Sequence, residues 1–431
     1  MRGRDAMTRT TGIIGGFVVA AALLGSASCE GLLDVDTPSR IPAEELETPG
    51  NAGLLVTGAV ADFECAFGAY AVLGGLIGEE LIDATQTADR FPYDRRDMQS
   101  SDRRYSAFGC EALGVYTPLQ TARVSAENVI RLLNGWTDAE VPNRQFLIAK
   151  ASAYAGYSLQ LLGESFCSMA VSTINADLSV NYGGEITPDS VFRLAEARFT
   201  DAITGATAVS NAEVLNMALV GRARARQNLG DWSGARADAG LVPAAFVKTV
   251  TASATTGRRE NRVWSQNITS NATSVGEPYR QMDRDGDPRV ALDSTTVVSV
   301  TGIRIWRASG KYPAAGSNFS LATGTEARVI LAEGEWQAGN YAAARDSLNF
   351  FRARGGQTAL TTVDPDTLLA EVVDQRRREL FLDGHHLGDV IRYGIVLAPP
   401  AGTAYHGSGN YGSQVCLPLP DVERLNNPNI P

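Results

Sequence analysis

Two stretches of this chain repeat one turn chemistry, and that repetition limits the fold more than any other feature. Leu229-Gly-Asp-Trp-Ser-Gly-Ala-Arg236 aligns with Ala338-Gly-Asn-Tyr-Ala-Ala-Ala-Arg345. In each, a helical pattern ends at Gly, a short polar residue follows, and an aromatic opens a second helical pattern. Gly230 and Gly339 accept the left-handed backbone that closes a helix. Asp231 and Asn340 are of the type that caps the next one. Trp232 and Tyr341 fit as wedges between paired helices and are assigned to the core with Trp336. Ala235 and Ala344 stand where a larger side chain would force the helices apart. This is the centre of a tetratricopeptide-like helical hairpin. The two units lie much further apart than the 34-residue period of a tandem array, which predicts an interrupted helical scaffold.

Apolar spacing extends the helical reading along the chain. It predicts helices from Ala43 to Phe67, from Leu113 to Leu133 with a break at Pro118, and from Pro142 onward. Others follow over Asp189–Ile203, Ala212–Leu229, Thr325–Arg354 and Pro365–Leu382. Between them, residues 245–320 are rich in Thr, Ser, Gly and Asn. The β-branched runs Val297–Thr301 and Ile303–Trp306 predict short strands there, within long loops of the kind that usually carry function. The expected fold is mainly α, with a helical scaffold over about 43–242 and 321–394. A variable loop region of about 245–320 interrupts it.

Charge and the N-terminus restrict the setting. The 431 residues carry a formal charge of −10. A diffuse acidic balance lacks the basic footprint of a nucleic-acid binder, so no nucleic-acid partner is expected. Arg2, Arg4 and Arg9 precede an apolar run from Gly12 to Gly25, followed by Ser26-Ala27-Ser28-Cys29. The run is too short to span a bilayer, and the basic flank and small exit residues make it an export leader over 1–28. A Cys directly after the small residues is where a lipoprotein leader is cut and lipidated, so Cys29 is the expected anchor of a single domain over 29–431. The bland alternative is ordinary cleavage that leaves Cys29 as a thiol. No later segment is expected to span a membrane.

Cys65, Cys110, Cys167 and Cys416 form an even set, as expected of an exported chain. Three pairings are open. Cys65–Cys110 with Cys167–Cys416 is favoured because the first two flank one N-terminal segment. Asp283, Asp285 and Asp287 stand at the alternating positions of a calcium loop, but position twelve is Ser294 rather than Glu. A turn at Asp287-Pro288 is the simpler reading. Glu379, Asp383, His385, His386 and Asp389 sit among Arg376, Arg377, Arg378 and Arg392. Ion pairing accounts for these charges better than catalysis, because a neighbouring cation lowers a carboxyl pKa. The common hydrolase, phosphate-loop and zinc motifs are absent. No catalytic residue and no cofactor is assigned, although a glycosidase carboxylate pair would leave no local spacing.

In order, several short motifs resemble the SusD/RagB family. They are Leu33-Asp34-Val35-Asp36 with Pro38, the Tyr116-to-Leu133 helix with Asn128, and Asp287-Pro288-Arg289. Near the C-terminus come Arg377-Arg378-Glu379-Leu380, Gly384-His385, Asp389 and Arg392-Tyr393-Gly394, then Leu417-Pro418-Leu419-Pro420, Glu423 and Asn427-Pro428-Asn429. Departures are Ser26 before the Cys, Asp383 where Glu is usual, and the extra cysteines. The resemblance implies a SusD-like fold and a lipoprotein at the outer-membrane surface. It also implies capture of an oligosaccharide or other nutrient for a SusC-like TonB-dependent transporter, without turnover. The alternatives are a helical-repeat protein-interaction lipoprotein and a glycoside hydrolase. Sugar recognition uses aromatic faces, and the candidates in the variable loops are Tyr93, Tyr105, Trp264, Tyr279, Trp306 and Tyr312.

Overall fold

The computed structural model describes residues 43–431 apart from Ala176 and Leu178, so the leader 1–28 and Cys29 lie outside the described residues. The chain divides after Thr48. Of the first unit, the described part holds one helical turn, Ala43–Leu46. The helix expected from Ala43 therefore begins afresh at Ala52 and runs ten residues past Phe67, as α1 (Ala52–Ile77).

The stretch Pro49–Ile77 is long and apolar enough to cross a membrane, against expectation, but 78% of its apolar window is buried inside the protein. A helix that is apolar all round is a core helix when other helices cover it. Those covers are α2 (Tyr116–Gly135) and α3 (Arg144–Ser165). Pro118 sits in the first turn of α2, where its missing N–H costs nothing, so it starts the helix rather than breaking it. Beyond α3 come α4 (Pro188–Ala208), α5 (Ala212–Asn228) and α6 (Trp232–Ala239). Helices α3, α4 and α5 approach closely because Gly156 and Gly221 face the ring of Phe199, where a Cβ would collide.

The two predicted hairpins are α5–α6 and the pair α8 (Gly324–Gln337) and α9 (Tyr341–Arg354), with α7 (Glu277–Arg284) lying between in sequence. Gly230 and Gly339 both take φ +75, and Ala235 and Ala344 are fully buried. Asp231 caps α6 by accepting from the Gly234 N–H at 3.0 Å. Asn340 makes no cap; its amide donates to Glu335 Oε2 at 2.7 Å instead. Trp232, Trp336 and Tyr341 are half-buried rather than core, and the Trp336 indole donates to the Pro365 carbonyl. The hairpins are neighbours in space. Helix α6 packs on α8, with Arg236 2.6 Å from Glu335. The scaffold closes with α10 (Pro365–Glu379) and α11 (His386–Tyr393).

Every sheet among the described residues has two strands. β1 (Leu81–Asp83) pairs with β7 (Thr273–Val275). β2 (Met169–Ala170) pairs with β5 (Glu185–Ile186), and β3 (Thr173–Ile174) with β4 (Val180–Asn181). β6 (Val247–Val250) pairs antiparallel with β10 (Phe319–Thr323), so the variable region leaves and re-enters the scaffold through one two-stranded neck. β8 (Asp293–Val298) and β9 (Arg304–Arg307) form a hairpin; the run Ile303–Trp306 falls on β9, whereas the run Val297–Thr301 only ends β8 and then enters the turn.

The insertion is tightly held. Buried Asn267 donates to the Thr273 and Trp306 carbonyls and accepts from the Ala308 N–H. Asp287-Pro288-Arg289 forms a 3₁₀ turn that docks on α10. Arg289 lies 2.8 Å from Glu379, and Arg378 lies 2.9 Å from Asp287. Two motifs far apart in sequence are thus one ion-paired latch. Cys65–Cys110 and Cys167–Cys416 are bonded, with Cα separations of 5.8 and 5.2 Å.

Candidate functional site

The segment after β1 is clamped from three directions. Buried Asp83 accepts from the N–H groups of Thr85 and Gln86 and pairs with Arg90 at 3.4 Å. Arg90 also donates to Gln266 Oε1, which ties the segment to the insertion. Asp94 accepts from the Asp83 N–H and the Tyr405 hydroxyl, and burial pushes its carboxyl up to about 7. The C-terminal segment supplies the second clamp: Gly412 and Asp421 donate backbone N–H groups to the Arg95 and Ser100 carbonyls. The Tyr105 hydroxyl donates to the Pro418 carbonyl at 3.0 Å. The third clamp is the Cys65–Cys110 disulfide, which fixes the chain two residues beyond Phe108 to α1.

This held segment walls an open cavity of about 590 Å³, lined by Phe91, Arg95, Asp97, Gln99, Arg103, Arg104 and Phe108 among others. Phe108 is 40% exposed, a high value for a phenyl ring on a fixed loop. The Arg95 guanidinium covers one face of Phe91 at 5.0 Å and pairs with Asp97 at 2.8 Å. Gln99 donates to the other oxygen of Asp97. Arg104 pairs with Asp102 at 3.1 Å and Asp89 at 3.5 Å. Arg103 is exposed, and its side chain makes no hydrogen bond or ion pair among the described residues. An open aromatic face beside planar polar groups suits a polyhydroxylated ligand, whose C–H faces stack and whose hydroxyls bond in the plane. A second cavity of about 470 Å³ borders Glu164, Phe192, Asn228 and Arg392. Its buried carboxylate, Glu164, is already engaged by Arg224 and Asn228.

Residues 325–419 match the model of the SusD family. Among curated proteins, no relative matches. Among solved structures, a SusD superfamily protein from Bacteroides vulgatus aligns with TM-score 0.70 at 12% identity, covering 89% of this chain and 98% of its own. The fold is SusD-like, and residues 325–419 carry the family's sequence pattern. A SusD-like carbohydrate binding protein from Bacteroides vulgatus aligns at 0.66 and 16% identity, covering 89% of this chain and 97% of its own. A laminarin binding SusD-like protein aligns at 0.66 and 15%, covering 89% and 98%.

In this SusD-like fold the six aromatic candidates do not converge. Tyr93, Tyr105, Tyr279 and Tyr312 are at most 1% exposed, so their faces belong to the core. Tyr279 stacks on Phe381, and the Tyr312 hydroxyl donates to Asp383. Trp264, on a π-helical turn, and Trp306, with the Arg280 guanidinium 5.8 Å from its ring, are half-buried and stand apart from the cavity lining. Tyr93 and Tyr105 lie in the segment that walls the cavity, but their side chains are buried and do not line it. The available signal was the doubled Asp-Arg-Arg, Asp94-Arg95-Arg96 and Asp102-Arg103-Arg104, flanked by Phe91 and Phe108.

The calcium candidates do not gather either. Asp283 accepts from the Leu292 N–H, Asp285 from Gln281, and Asp287 from Arg289 and Arg378. The metal-like grouping found among the described residues, Cys65 with Cys110 and Glu111, has its sulfurs in a disulfide. The C-terminal charges are buried and engaged: Asp383 with Lys311 and Tyr312, His385 with Glu326, Asp389 with Arg376 and Arg392. Burial works to raise the Asp389 carboxyl, yet the two guanidinium groups outweigh it and hold it well below the usual range. Burial pushes the His386 imidazole down to about 3, so it is neutral at physiological pH.

Proposed function

We propose that this protein captures oligosaccharides at the outer-membrane surface, held there by a lipid on Cys29, and delivers them unaltered to a SusC-like TonB-dependent transporter. The observation that carries this reading is the pre-formed cavity with Phe108 at its rim. A site fixed before binding loses little ordering entropy when a flexible glycan settles in it. The carbohydrate binding and laminarin binding relatives share its fold and support the same ligand class. The lipoprotein-type leader and the even cysteine set fit an exported, anchored protein.

The test is retention of the purified protein on a panel of immobilised polysaccharides, with the flow-through assayed for new reducing ends. At least one polysaccharide retains the wild type, Phe108→Ala weakens retention about tenfold, a stacking loss of about 1.4 kcal/mol, and no reducing ends appear. Absence of retention by the whole panel, or hydrolysis of the bound glycan, overturns the proposal. Detergent extraction of native membranes should also recover the chain together with a large β-barrel protein.

A further inference from the structure

Resting on that glycan-binding reading, we infer that the cavity selects an anionic saccharide, one that bears carboxylate or sulfate groups. The protein as a whole is acidic, with a formal charge of −10. The cavity departs from that background: three arginines and two aspartates line it, with Asp89 reaching Arg104 from outside the lining. Asp97 is committed through both oxygens, one to Arg95 and the other to Gln99. Asp102 is committed through its Oδ1, which accepts from the Arg104 N–H and the Arg104 guanidinium. Arg103, exposed and without a side-chain partner among the described residues, lines the same cavity as the exposed ring of Phe108.

A neutral saccharide settling on Phe108 would strip water from that cation and return only neutral hydrogen bonds. A uronate carboxylate or a sulfate ester offers two oxygens in one plane to the guanidinium fork. Charge-assisted bonds of that kind are roughly twice as strong as neutral ones. Arg104 strengthens the case: its side chain is 38% exposed, its pair with Asp89 is long at 3.5 Å, and its Nη2 donates no hydrogen bond among the described residues. The site thus presents an aromatic platform for the ring and an unpaired cation for the substituent.

The experiment is titration of the purified protein with polygalacturonate, alginate, a carrageenan, laminarin, starch and xylan, at low and at high salt. The acidic polymers are expected to bind at least tenfold more tightly than the neutral ones, and to weaken as salt rises. Arg103→Ala is expected to lower the acidic affinity about tenfold without moving the melting temperature, because the Arg103 side chain holds nothing among the described residues. The polyuronates and the carrageenan separate carboxylate from sulfate as the recognised group. Tighter binding of laminarin, starch or xylan, or an Arg103→Ala variant that binds acidic polymers as wild type does, overturns this inference and leaves glycan capture standing. Binding of none of the six overturns both.

Discussion

Glu80 is a carboxyl placed where its charge is unwelcome. It is almost wholly buried and accepts from the Leu382 N–H at 2.7 Å. Burial pushes it up to about 8 from 4.5, although that N–H and Lys311 pull the other way. The folded state therefore holds this proton more tightly than the unfolded chain does, and its contribution to stability falls as pH rises from about 4.5 to about 8. Glu80→Gln keeps an acceptor for Leu382 and removes the titration. Denaturant unfolding at pH 5, 6, 7 and 8 should show the variant gaining on the wild type at up to about 1.4 kcal/mol per pH unit. Equal pH slopes for the two proteins would refute this. Close packing gives a second prediction at this scale. Gly221→Ala sets a Cβ against the Phe199 ring and should cost about 1–3 kcal/mol in the same assay. Sequence spacing hides both effects. Tyr93 and Phe91 have equal claims on paper, and only the fold decides that one faces the core and the other the cavity.

At the scale of elements, the turn grammar was legible because it is local. Gly230 and Gly339 close helices through their own backbone geometry, which needs no information from elsewhere. The β9 strand was legible for the same reason, whereas β8 lies mostly before the run Val297–Thr301 that suggested it. The site was not, because three clamps that shape it come from residues far away in sequence: Gln266, the 405–421 segment and Cys65. The two disulfides differ in what they hold. By chain entropy, closing 45 residues is worth about 4 kcal/mol and closing 249 about 5.5 kcal/mol. Cys167→Ser/Cys416→Ser should therefore cost the more stability. Cys65→Ser/Cys110→Ser should weaken glycan binding the more, because it frees the loop that carries Phe108. Unfolding midpoints and binding isotherms on both double variants would test this crossed ordering. If one variant is worse in both assays, the clamp does not serve the site.

On the scale of the whole molecule, the insertion and the helical scaffold meet at the latch of Asp287, Arg289, Arg378 and Glu379. Arg289 bridges Asp287 at 2.6 Å and Glu379 at 2.8 Å, with both carboxylates only 2% exposed. Burial would raise the Asp287 carboxyl, but the hydrogen bonds from Arg289 and Arg378 hold it below its ordinary value, so it is charged. Arg289→Ala then takes the close partner from buried Glu379, leaving it only the half-exposed Arg354 at 3.4 Å, and the expected cost is about 3–5 kcal/mol. Most of that cost is the unpaired charge rather than a lost attraction. Arg289→Met with Glu379→Leu should consequently recover much of the loss, because Asp287 keeps Arg378 at 2.9 Å and no anion is stranded. The loss should also be regional. Hydrogen exchange in Arg289→Ala is expected to quicken first over β7, β8 and β9, while α3 and α5 in the buried helical layer stay protected. A double variant as unstable as the single one would refute the orphaned-charge account. Uniform loss of protection across insertion and scaffold would mean that the latch holds one cooperative body rather than fastening an insertion to it.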